Sequence, residues 1–293
     1  MGKREDIMLC HPFEEKRLNK WNQWPVIVQP KLDGVRCRAL FSADGVTLLS
    51  SEKNEFTSVP HIQGELHNLL LPANTYETDG ELYVHGMEFE EIDSMVSRTV
   101  NLHPRFQEME YHIFDVVNEC MQGQRITQTK DLIHNHIKPV EYKIAHSMQE
   151  IMHWYHYYLD LDYEGIIVRH IFWLYERKRS GGIMKFKPKK VDNYKIIGCE
   201  EAIDKHGNPK GTLGAFVCTG RDGHEFSVGA GCLTHAERQA IWIDRQQYLG
   251  MVCVVQYQNI TAYGVPRFGL AFSKPEDVWN DNEATIKFLR GLC

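Results

Sequence analysis

Short apolar runs alternate with polar segments through the first two thirds of the chain. The run Trp24–Gln29 is apolar and β-branched, which predicts a buried strand. Val35–Phe41 and Val46–Leu49 predict a hairpin, because Gly45 between them tolerates the positive φ of a tight turn. Similar runs predict further strands at Glu81–Val84, His112–Val117, Gly165–His170 and Ile183–Lys187.

The spacing of apolar residues predicts an amphipathic helix at Ser147–Leu161. Ser147 is a favourable N-cap, and Glu150 stands where a capping box needs its acidic residue. The Met and aromatic side chains of this segment are expected to belong to the core.

The pattern changes from Asn193 onward. Five short strand-like segments follow one another, separated by glycine-bearing turns, and one helix is predicted over Thr234–Tyr248. Five short strands and one helix suit a small β-barrel of the OB type. We therefore place a boundary at Val191–Asn193, which gives domains of residues 1–192 and 193–293. The fold class is α+β in the first domain, followed by a β-barrel.

The composition of the 293 residues, 43% hydrophobic and 25% charged, is ordinary for a globular protein. It excludes a disordered chain, a collagen-like repeat and a coiled coil. No long apolar stretch and no secretory signal is present, so we expect a cytoplasmic protein without a membrane partner. The eight cysteines show no C-x-x-C spacing, which makes a disulfide scaffold or a zinc site improbable.

A net charge of −6 at first argues against a partner that is a nucleic acid. The charge is unevenly distributed, however. Between Arg169 and Lys190 there are eight basic residues and one acidic residue, Glu176. We therefore expect one basic face that suits phosphates, with an affinity that falls as salt rises.

The most informative segment runs from Gln29 to Arg36, with the sequence QPKLDGVR. Lys31 directly follows an apolar strand, and Gly34 is expected to permit close approach by a ligand. A lysine amine is a nucleophile only when it is neutral. Its pKa must therefore be lowered by burial or by neighbouring cations.

Other segments supply complementary chemistry. Glu81 and Glu164 stand at strand starts, and Phe114 lies within an apolar strand. Lys185 and Lys187 alternate along a strand, so both are expected on one face, where they would bind phosphate and depress the pKa of a nearby lysine.

In this order and at these spacings, the five segments resemble motifs I, III, IIIa, IV and V of the covalent nucleotidyltransferases. Within that superfamily, nearly the whole chain resembles the small ATP-dependent DNA ligases of phages and bacteria. The resemblance implies an N-terminal nucleotidyltransferase (adenylation) domain with antiparallel sheets and flanking helices, followed by an OB-fold domain. It also implies ATP, Mg²⁺ or another divalent cation, and nicked double-stranded DNA as partners of a monomer in a bacterial or phage-infected cell.

The resemblance also implies residue roles. Lys31 would attack the α-phosphate of ATP and hold AMP, while Lys185 and Lys187 would stabilise the charge that develops on that phosphate. Glu81 would bind the ribose, and Glu81 and Glu164 would bind the metal. The remaining nucleotide contacts would come from Gln29, Leu32, Arg36 and Phe114, with Phe114 stacked on the adenine and Gln29 reading it.

Contacts with DNA are implied for four positions, two of which depart from the family pattern. Ser51 stands where the family usually has an arginine, and Lys53 is the nearest replacement. Lys274 is the nearest candidate for a basic C-terminal motif that the chain otherwise matches poorly. Arg98 is a candidate contact of the nick phosphate.

Three alternatives remain open from the sequence. An RNA ligase and a GTP-dependent capping-type nucleotidyltransferase would use the same lysine chemistry. A non-catalytic OB-fold nucleic-acid-binding protein would not need the intact lysines and glutamates. The pairs His134/His136 and His153/His156 have metal-ligand spacing, but we interpret them as surface or packing residues because no third ligand is near.

Overall fold

The fold is taken from a computed structural model, which describes residues 6–188, 190–220, 223–257, 260–261, 264–267 and 269–271. The chain forms two compact units that divide between Lys187 and Pro188. The boundary expected at Val191–Asn193 instead falls inside a continuous strand that begins at Lys190.

The first unit contains ten strands and five helices within its described residues. In chain order they are β1 (Leu9–Pro12), α1 (Glu15–Trp21), β2 (Val26–Lys31), β3 (Val35–Ser42), β4 (Gly45–Ser50), α2 (Pro60–His67), β5 (Glu77–Tyr83), α3 (Phe89–Val96), β6 (Glu110–Val116), α4 (Gln122–Gln128), β7 (Ile137–Pro139), β8 (Lys143–Ala145), α5 (Met148–Asp160), β9 (Gly165–His170) and β10 (Arg179–Phe186). A 3₁₀ turn, Phe106–Glu108, precedes β6.

These strands form two five-stranded sheets. The first sheet has the order β1-β10-β9-β2-β8, and the second sheet has the order β4-β3-β5-β6-β7. The pairs are antiparallel except for β1–β10 and β6–β7, which are parallel. The expectation of antiparallel sheets with flanking helices therefore holds apart from these two edge pairs.

Alternation along β2 puts Val26 and Val28 on one face and Ile27, Gln29 and Lys31 on the other. Val26 and Val28 join Val168, Met184 and residues of α5 in one hydrophobic cluster. Because side chains alternate across a strand, Gln29 and Lys31 point to the opposite face. The helix thus covers one side of the sheet and leaves the other side for chemistry.

The hairpin and the helix cap form nearly as predicted. β3 and β4 pair from Cys37–Ser50 to Ser42–Gly45, and Gly45 has φ +128°. Ser147 Oγ accepts from Glu150 N at 3.2 Å, whereas the Glu150 carboxylate accepts from His146 N at 2.9 Å. The capping box is therefore displaced by one residue from the expected arrangement.

The second unit is a closed barrel in the order β11-β12-β13-β15-β14. Its described elements are β11 (Lys190–Ile203), β12 (Pro209–Thr219), β13 (Glu225–Gly229), α6 (His235–Ile243), a 3₁₀ turn (Arg245–Tyr248), β14 (Val252–Tyr257) and β15 (Leu270–Ala271). This arrangement confirms the predicted OB-type barrel of five strands and one helix.

The helix of the barrel is shorter than predicted, because α6 ends at Ile243 rather than Tyr248. The carbonyl oxygen of Trp242 accepts a hydrogen bond from the Arg245 guanidinium at 3.0 Å. The chain continues from Arg245 to Tyr248 as a 3₁₀ turn. In the described part of the chain, no helix is long and apolar enough to cross a membrane.

Candidate active site

Lys31 is the last residue of β2 and lies opposite Gly165, the first residue of β9. Its Nζ donates to Glu164 Oε2, and Glu164 N donates to the Lys31 carbonyl oxygen at 3.1 Å. Lys187 Nζ donates to the other carboxylate oxygen, Glu164 Oε1, at 2.9 Å. One carboxylate therefore bridges two of the predicted catalytic lysines.

Gly165 makes this arrangement possible. Its φ is +147°, and an added Cβ would lie 2.2 Å from the Phe186 carbonyl oxygen and 2.9 Å from Lys187 Cα. Only glycine tolerates both the backbone conformation and this close approach. The glycine thus brings Glu164 to Lys187 across the pair of strands.

The protonation of Lys31 differs from the sequence expectation. Burial by itself would lower the pKa of Lys31, but the carboxylates of Glu164 and Glu81 outweigh burial and raise it. The expected depression by neighbouring cations is wrong for Lys31, because Glu164 lies between it and Lys187. The pKa of Glu164 is lowered, since Lys31 and Lys187 outweigh the effect of its burial.

Lys185 and Glu81 are the site residues whose pKa values move toward neutrality. Burial lowers the pKa of Lys185, and the cations of Lys187 and Lys31 lower it further. Burial raises the pKa of Glu81 to about 7, despite the opposing effects of Lys31 and Arg36. The lysine with a depressed pKa is therefore Lys185, not the predicted nucleophile.

The residues that follow Lys31 contact other parts of the first unit. An added Cβ on Gly34 would lie 2.3 Å from the Leu82 carbonyl oxygen, so this glycine admits β5 rather than a ligand. Leu32 is buried, and its carbonyl oxygen accepts from Lys31 Nζ at 3.3 Å. The Arg36 guanidinium donates to Asp79 Oδ1 and to the Met8 carbonyl oxygen, each at 2.9 Å.

Two guanidinium groups lie over the Phe114 ring. The Arg36 and Arg169 guanidinium carbons are 5.2 Å and 5.3 Å from its ring centroid. The register between β5 and β6 shifts at this point, so that Asp115 pairs with Asp79 and Ile113 with Gly80. This bulge changes which residues of β6 share a face, which simple alternation along the sequence does not predict.

A buried ionic network beside Phe114 was missed by sequence reasoning. Asp115 Oδ1 accepts from Arg125 Nε at 2.9 Å, and Asp115 Oδ2 accepts from Arg169 Nη1 at 3.2 Å. Gln29 Oε1 accepts from Arg169 Nε at 2.7 Å. The available signal was a charged residue inside an otherwise apolar strand, in YHIFDVV and GIIVRH.

The predicted DNA contacts have other partners. Lys53 Nζ lies 2.7 Å from Asp6 Oδ2, and Ser51 lies in the turn that follows β4. Arg98 is exposed and donates to the Ser94 carbonyl oxygen at 3.3 Å. Lys274 lies outside the described residues.

Much of the basic segment is neutralised within the first unit. Arg169 is only 3% exposed, and Lys187 binds Glu164. Arg177 binds Glu77 at 2.7 Å, and Lys178 lies 3.1 Å from Glu176. Several of the cations between Arg169 and Lys190 are therefore engaged within the protein, and fewer than eight of them can bind phosphates.

Among the described contacts, neither histidine pair binds Lys31, Lys185 or Lys187. His134 and His136 bind the two oxygens of Glu65, at 2.9 Å and 2.7 Å. His153 and His156 are exposed on α5. Over the described ranges, no three His, Cys, Asp or Glu residues are grouped so that they could hold a metal ion.

Related sequences are DNA ligases. The sequence model of the ATP-dependent DNA ligase domain matches residues 7–187, and that of the DNA ligase OB-like domain matches residues 206–272. A DNA ligase of Haemophilus influenzae is 25% identical over 268 residues, which cover 90% of each chain. The DNA ligase of Enterobacteria phage T4 is 24% identical over 295 residues, which cover 83% of this chain and 60% of the phage protein.

Solved structures of ligases share the fold. The structure named Pmar-Lig_PreS3 has a TM-score of 0.79 at 22% identity and covers 92% of this chain and 67% of its own. A structure from work on the Lig E DNA ligases has a TM-score of 0.73 at 19% identity and covers 92% of this chain and 98% of its own.

Proposed function

The chain belongs to the ATP-dependent DNA ligase family, whose members join DNA through an adenylate intermediate, and from that membership we propose that Lys31 is adenylylated here. The observation that carries this assignment is the contact of Lys31 with Glu164 and, through it, with Lys187. Both family matches are to DNA ligases, which favours DNA over the RNA-joining and capping alternatives.

The first chemical step forms a bond between Lys31 Nζ and the α-phosphorus of ATP and breaks the bond from that phosphorus to pyrophosphate. Nζ must first lose its proton, because a protonated amine has no lone pair to donate. The raised pKa of Lys31 means that its contact with Glu164 holds the amine protonated before nucleotide binds. Separation of this ion pair is therefore part of activation.

The second and third steps transfer AMP and then release it. An oxygen of the 5′-phosphate at the nick attacks the phosphorus of the Lys31-bound AMP, and the bond from that phosphorus to Lys31 Nζ breaks. The 3′-hydroxyl then attacks the 5′-phosphorus, which joins the strands and releases AMP. Because both are phosphoryl-type transfers, the protein contributes chiefly positioning and charge stabilisation.

The groups proposed to bind the nucleotide come from both sheets of the first unit. Lys185 and Lys187 supply cations for the phosphates, and Glu81 supplies an acceptor for the ribose hydroxyls. Phe114 is the ring proposed to stack on the base, which requires a part of the ring that the guanidinium groups of Arg36 and Arg169 do not cover. Gln29 Nε2 is buried without a hydrogen-bond partner in the described structure. An acceptor atom on the nucleotide would satisfy this donor.

A divalent cation fits these groups only together with the nucleotide. Glu81 and Glu164 are two carboxylates, and no third ligand accompanies them within the described ranges. Mg²⁺ is commonly held by one or two carboxylates, waters and substrate phosphates rather than by a full protein cage. The ion would neutralise phosphate charge, while Lys187 keeps one oxygen of Glu164 oriented.

We propose a nick in double-stranded DNA as the substrate of a monomer. Arg98 supports this proposal, because it is an exposed cation with no acidic partner among the described contacts. Lys53 is a second candidate phosphate contact, and it would have to leave Asp6.

The assignment of Lys31 is tested with α-labelled ATP and Mg²⁺. We expect label on the wild-type protein and on Lys16→Ala, which changes a lysine with an 80% exposed side chain. We expect no label on Lys31→Ala. Label that persists on Lys31→Ala would show that another residue carries the adenylate.

The substrate is tested separately on nicked duplexes. We expect sealing of a DNA nick with ATP, and little sealing of an all-RNA nick or labelling with GTP. Strong labelling with GTP, or preferential sealing of RNA, would return the assignment to one of the other nucleotidyltransferases.

A further inference from the structure

The orientation of one buried amide in the nucleotide site is fixed by chemistry. Gln29 is 1% exposed, and Arg169 Nε lies 2.7 Å from its side-chain oxygen. A guanidinium N–H can only donate, so the amide must turn its oxygen toward Arg169. The amide NH₂ of Gln29 is left to face the other way.

Arg169 is itself held from several directions. Its Nη1 donates to Asp115 Oδ2 and to Gln122 Oε1, each at 3.2 Å. Asp115 is fully buried and also binds Arg125, whose Nη1 donates to two backbone carbonyl oxygens. Arg169 therefore cannot release the Gln29 oxygen without breaking a buried ionic network.

The remaining donor of Gln29 lacks a partner. Gln29 Nε2 is buried without a hydrogen-bond partner among the described residues, and a buried unpaired donor costs free energy. Gln29 precedes Lys31 by two residues on the same strand face, and Arg169 lies 5.3 Å from the Phe114 ring. The unpaired donor thus lies on the strand of the proposed nucleophile, and Arg169, the partner of the Gln29 oxygen, contacts the proposed base-stacking ring.

Gln122 shows the same pattern farther from Lys31. Its oxygen accepts from Arg125 and Arg169, and its Nε2 is also buried and unpaired. Gln122 lies on α4 rather than on the strand that carries Lys31. Of the two amides, Gln29 is therefore the one placed to meet a nucleotide.

We propose that Arg169 is a positioning residue that fixes Gln29 as a hydrogen-bond donor, so that adenine is read through a ring nitrogen and not through its amine. Adenine ring nitrogens accept hydrogen bonds, whereas its exocyclic amine donates. Guanine carries a proton at N1, so a fixed donor directed at that position would oppose guanine. This inference rests on the proposed adenylylation of Lys31.

The test uses ATP analogues in which one ring nitrogen is replaced by carbon: 1-deaza-, 3-deaza- and 7-deaza-ATP. The rate of label transfer to the protein is measured as kcat/KM. We expect one of the three analogues to lose about tenfold or more with the wild-type protein, because one buried donor then loses its acceptor. The same analogue should lose nothing further with Gln29→Met, which has no donor.

Two more variants distinguish the loss of the Gln29 donor from a change in side-chain shape. Gln29→Glu keeps the shape but presents only acceptors, so its KM for ATP should rise about tenfold or more, with a smaller change in kcat. Gln149→Met is the matched control, since Gln149 is exposed on α5, and it should retain the full sensitivity to the analogue.

Arg169 is tested through the same sensitivity. In Arg169→Met the amide can rotate, so we expect loss of discrimination between ATP and the sensitive analogue. Because this variant leaves Asp115 with one arginine fewer, near-ultraviolet circular dichroism must first show native packing. If Arg169→Met does not fold, the response of Gln29→Met to the sensitive analogue tests the inference instead.

Equal use of all three analogues by the wild-type protein would overturn the inference, and would indicate that a buried water satisfies Gln29. Retained sensitivity in Gln29→Met would overturn it as well. Failure of the wild-type protein to take label from ATP would instead contradict the proposed function, so the two failures are distinguishable.

Discussion

At the scale of single residues, charge placed inside apolar strands decides much of the site. Asp115 and Arg169 are almost completely buried, and each is compensated by several partners. Removal of one partner from such a group leaves an uncompensated charge in the interior, which costs far more than the loss of a surface contact. These residues connect stability to the geometry around Gln29 and Phe114.

We expect Asp115→Asn to lower the free energy of unfolding by about 3–5 kcal/mol, because it removes the negative charge between Arg125 and Arg169. Urea unfolding followed by fluorescence measures the change. The matched control is Glu108→Gln, which removes a carboxylate from Arg105. Both side chains of that pair are nearly half exposed, so the control should unfold almost as the wild type does.

A second prediction concerns Gly165. In Gly165→Ala the new methyl group would overlap the Phe186 carbonyl oxygen, so β9 and β10 must separate near Glu164 and Lys187. We expect a lower melting temperature and at least tenfold slower adenylylation. Gly86→Ala is the control, since Gly86 also has positive φ but nothing within 4 Å of the added methyl. Equal losses in both variants would attribute the effect to backbone strain alone.

At the scale of elements, α5 supports the first sheet from its apolar side. Tyr155 stacks on Phe186 with ring centroids 4.1 Å apart, and Phe186 stands between Lys185 and Lys187 in the chain. A helix of 13 residues depends on its end caps as well as on packing, because its first N–H groups have no partner within the helix. The cap at Ser147 therefore helps α5 to support β10, the strand that carries Lys185.

We expect Ser147→Ala to destabilise the protein by about 1 kcal/mol, since the Glu150 N–H loses its side-chain acceptor. Ser147→Asp restores an acceptor and places a negative charge at the helix N-terminus, so it should recover most of the loss. Thermal unfolding of the three proteins measures both effects. Equal stability of Ser147→Ala and wild type would show that the cap contributes nothing.

At the scale of the whole molecule, the net charge of −6 conceals how the charges are used. Arg169 and Arg177 in the basic segment bind Asp115 and Glu77, and so contribute to folding. Buried ionisable groups also determine how stability depends on pH. Burial lowers the pKa of His61 and of His170, so both bind protons less readily in the folded protein than in the unfolded chain.

We therefore expect the free energy of unfolding to fall as pH decreases below about 6.5, the pKa of an ordinary histidine. Below that pH the unfolded chain binds protons that the folded His61 and His170 do not, which favours unfolding. Urea unfolding at pH 7.5 and 5.5 measures this loss. His61→Gln with His170→Gln should show a smaller loss than wild type.

The comparison with the variant that carries both His61→Gln and His170→Gln is needed because Glu81 has the opposite effect on the pH dependence of stability. Its folded pKa, raised to about 7, makes the folded protein take up a proton first as pH falls. That contribution is common to both proteins and cancels in the difference. An unchanged pH dependence in the double variant would contradict the assignment to the histidines.

The sequence by itself determined many of the elements and supplied the candidates for the nucleotide site. Periodicity predicted the hairpin at Gly45, the helix capped by Ser147 and the OB-type barrel. These follow from local rules, because the spacing of apolar residues and the chemistry of turns and caps act over a few positions. The placement of Lys31 at the end of a strand was predictable for the same reason.

Only the tertiary structure decided how those groups act on one another. The bridge from Lys31 through Glu164 to Lys187 spans three segments that are distant in sequence, and it raised a pKa that was expected to fall. The roles of Gly34 and Arg169 were likewise set by neighbouring strands and not by their own segments. Electrostatic and steric effects depend on distance in space, and that distance is set by strand register, which the local pattern does not contain.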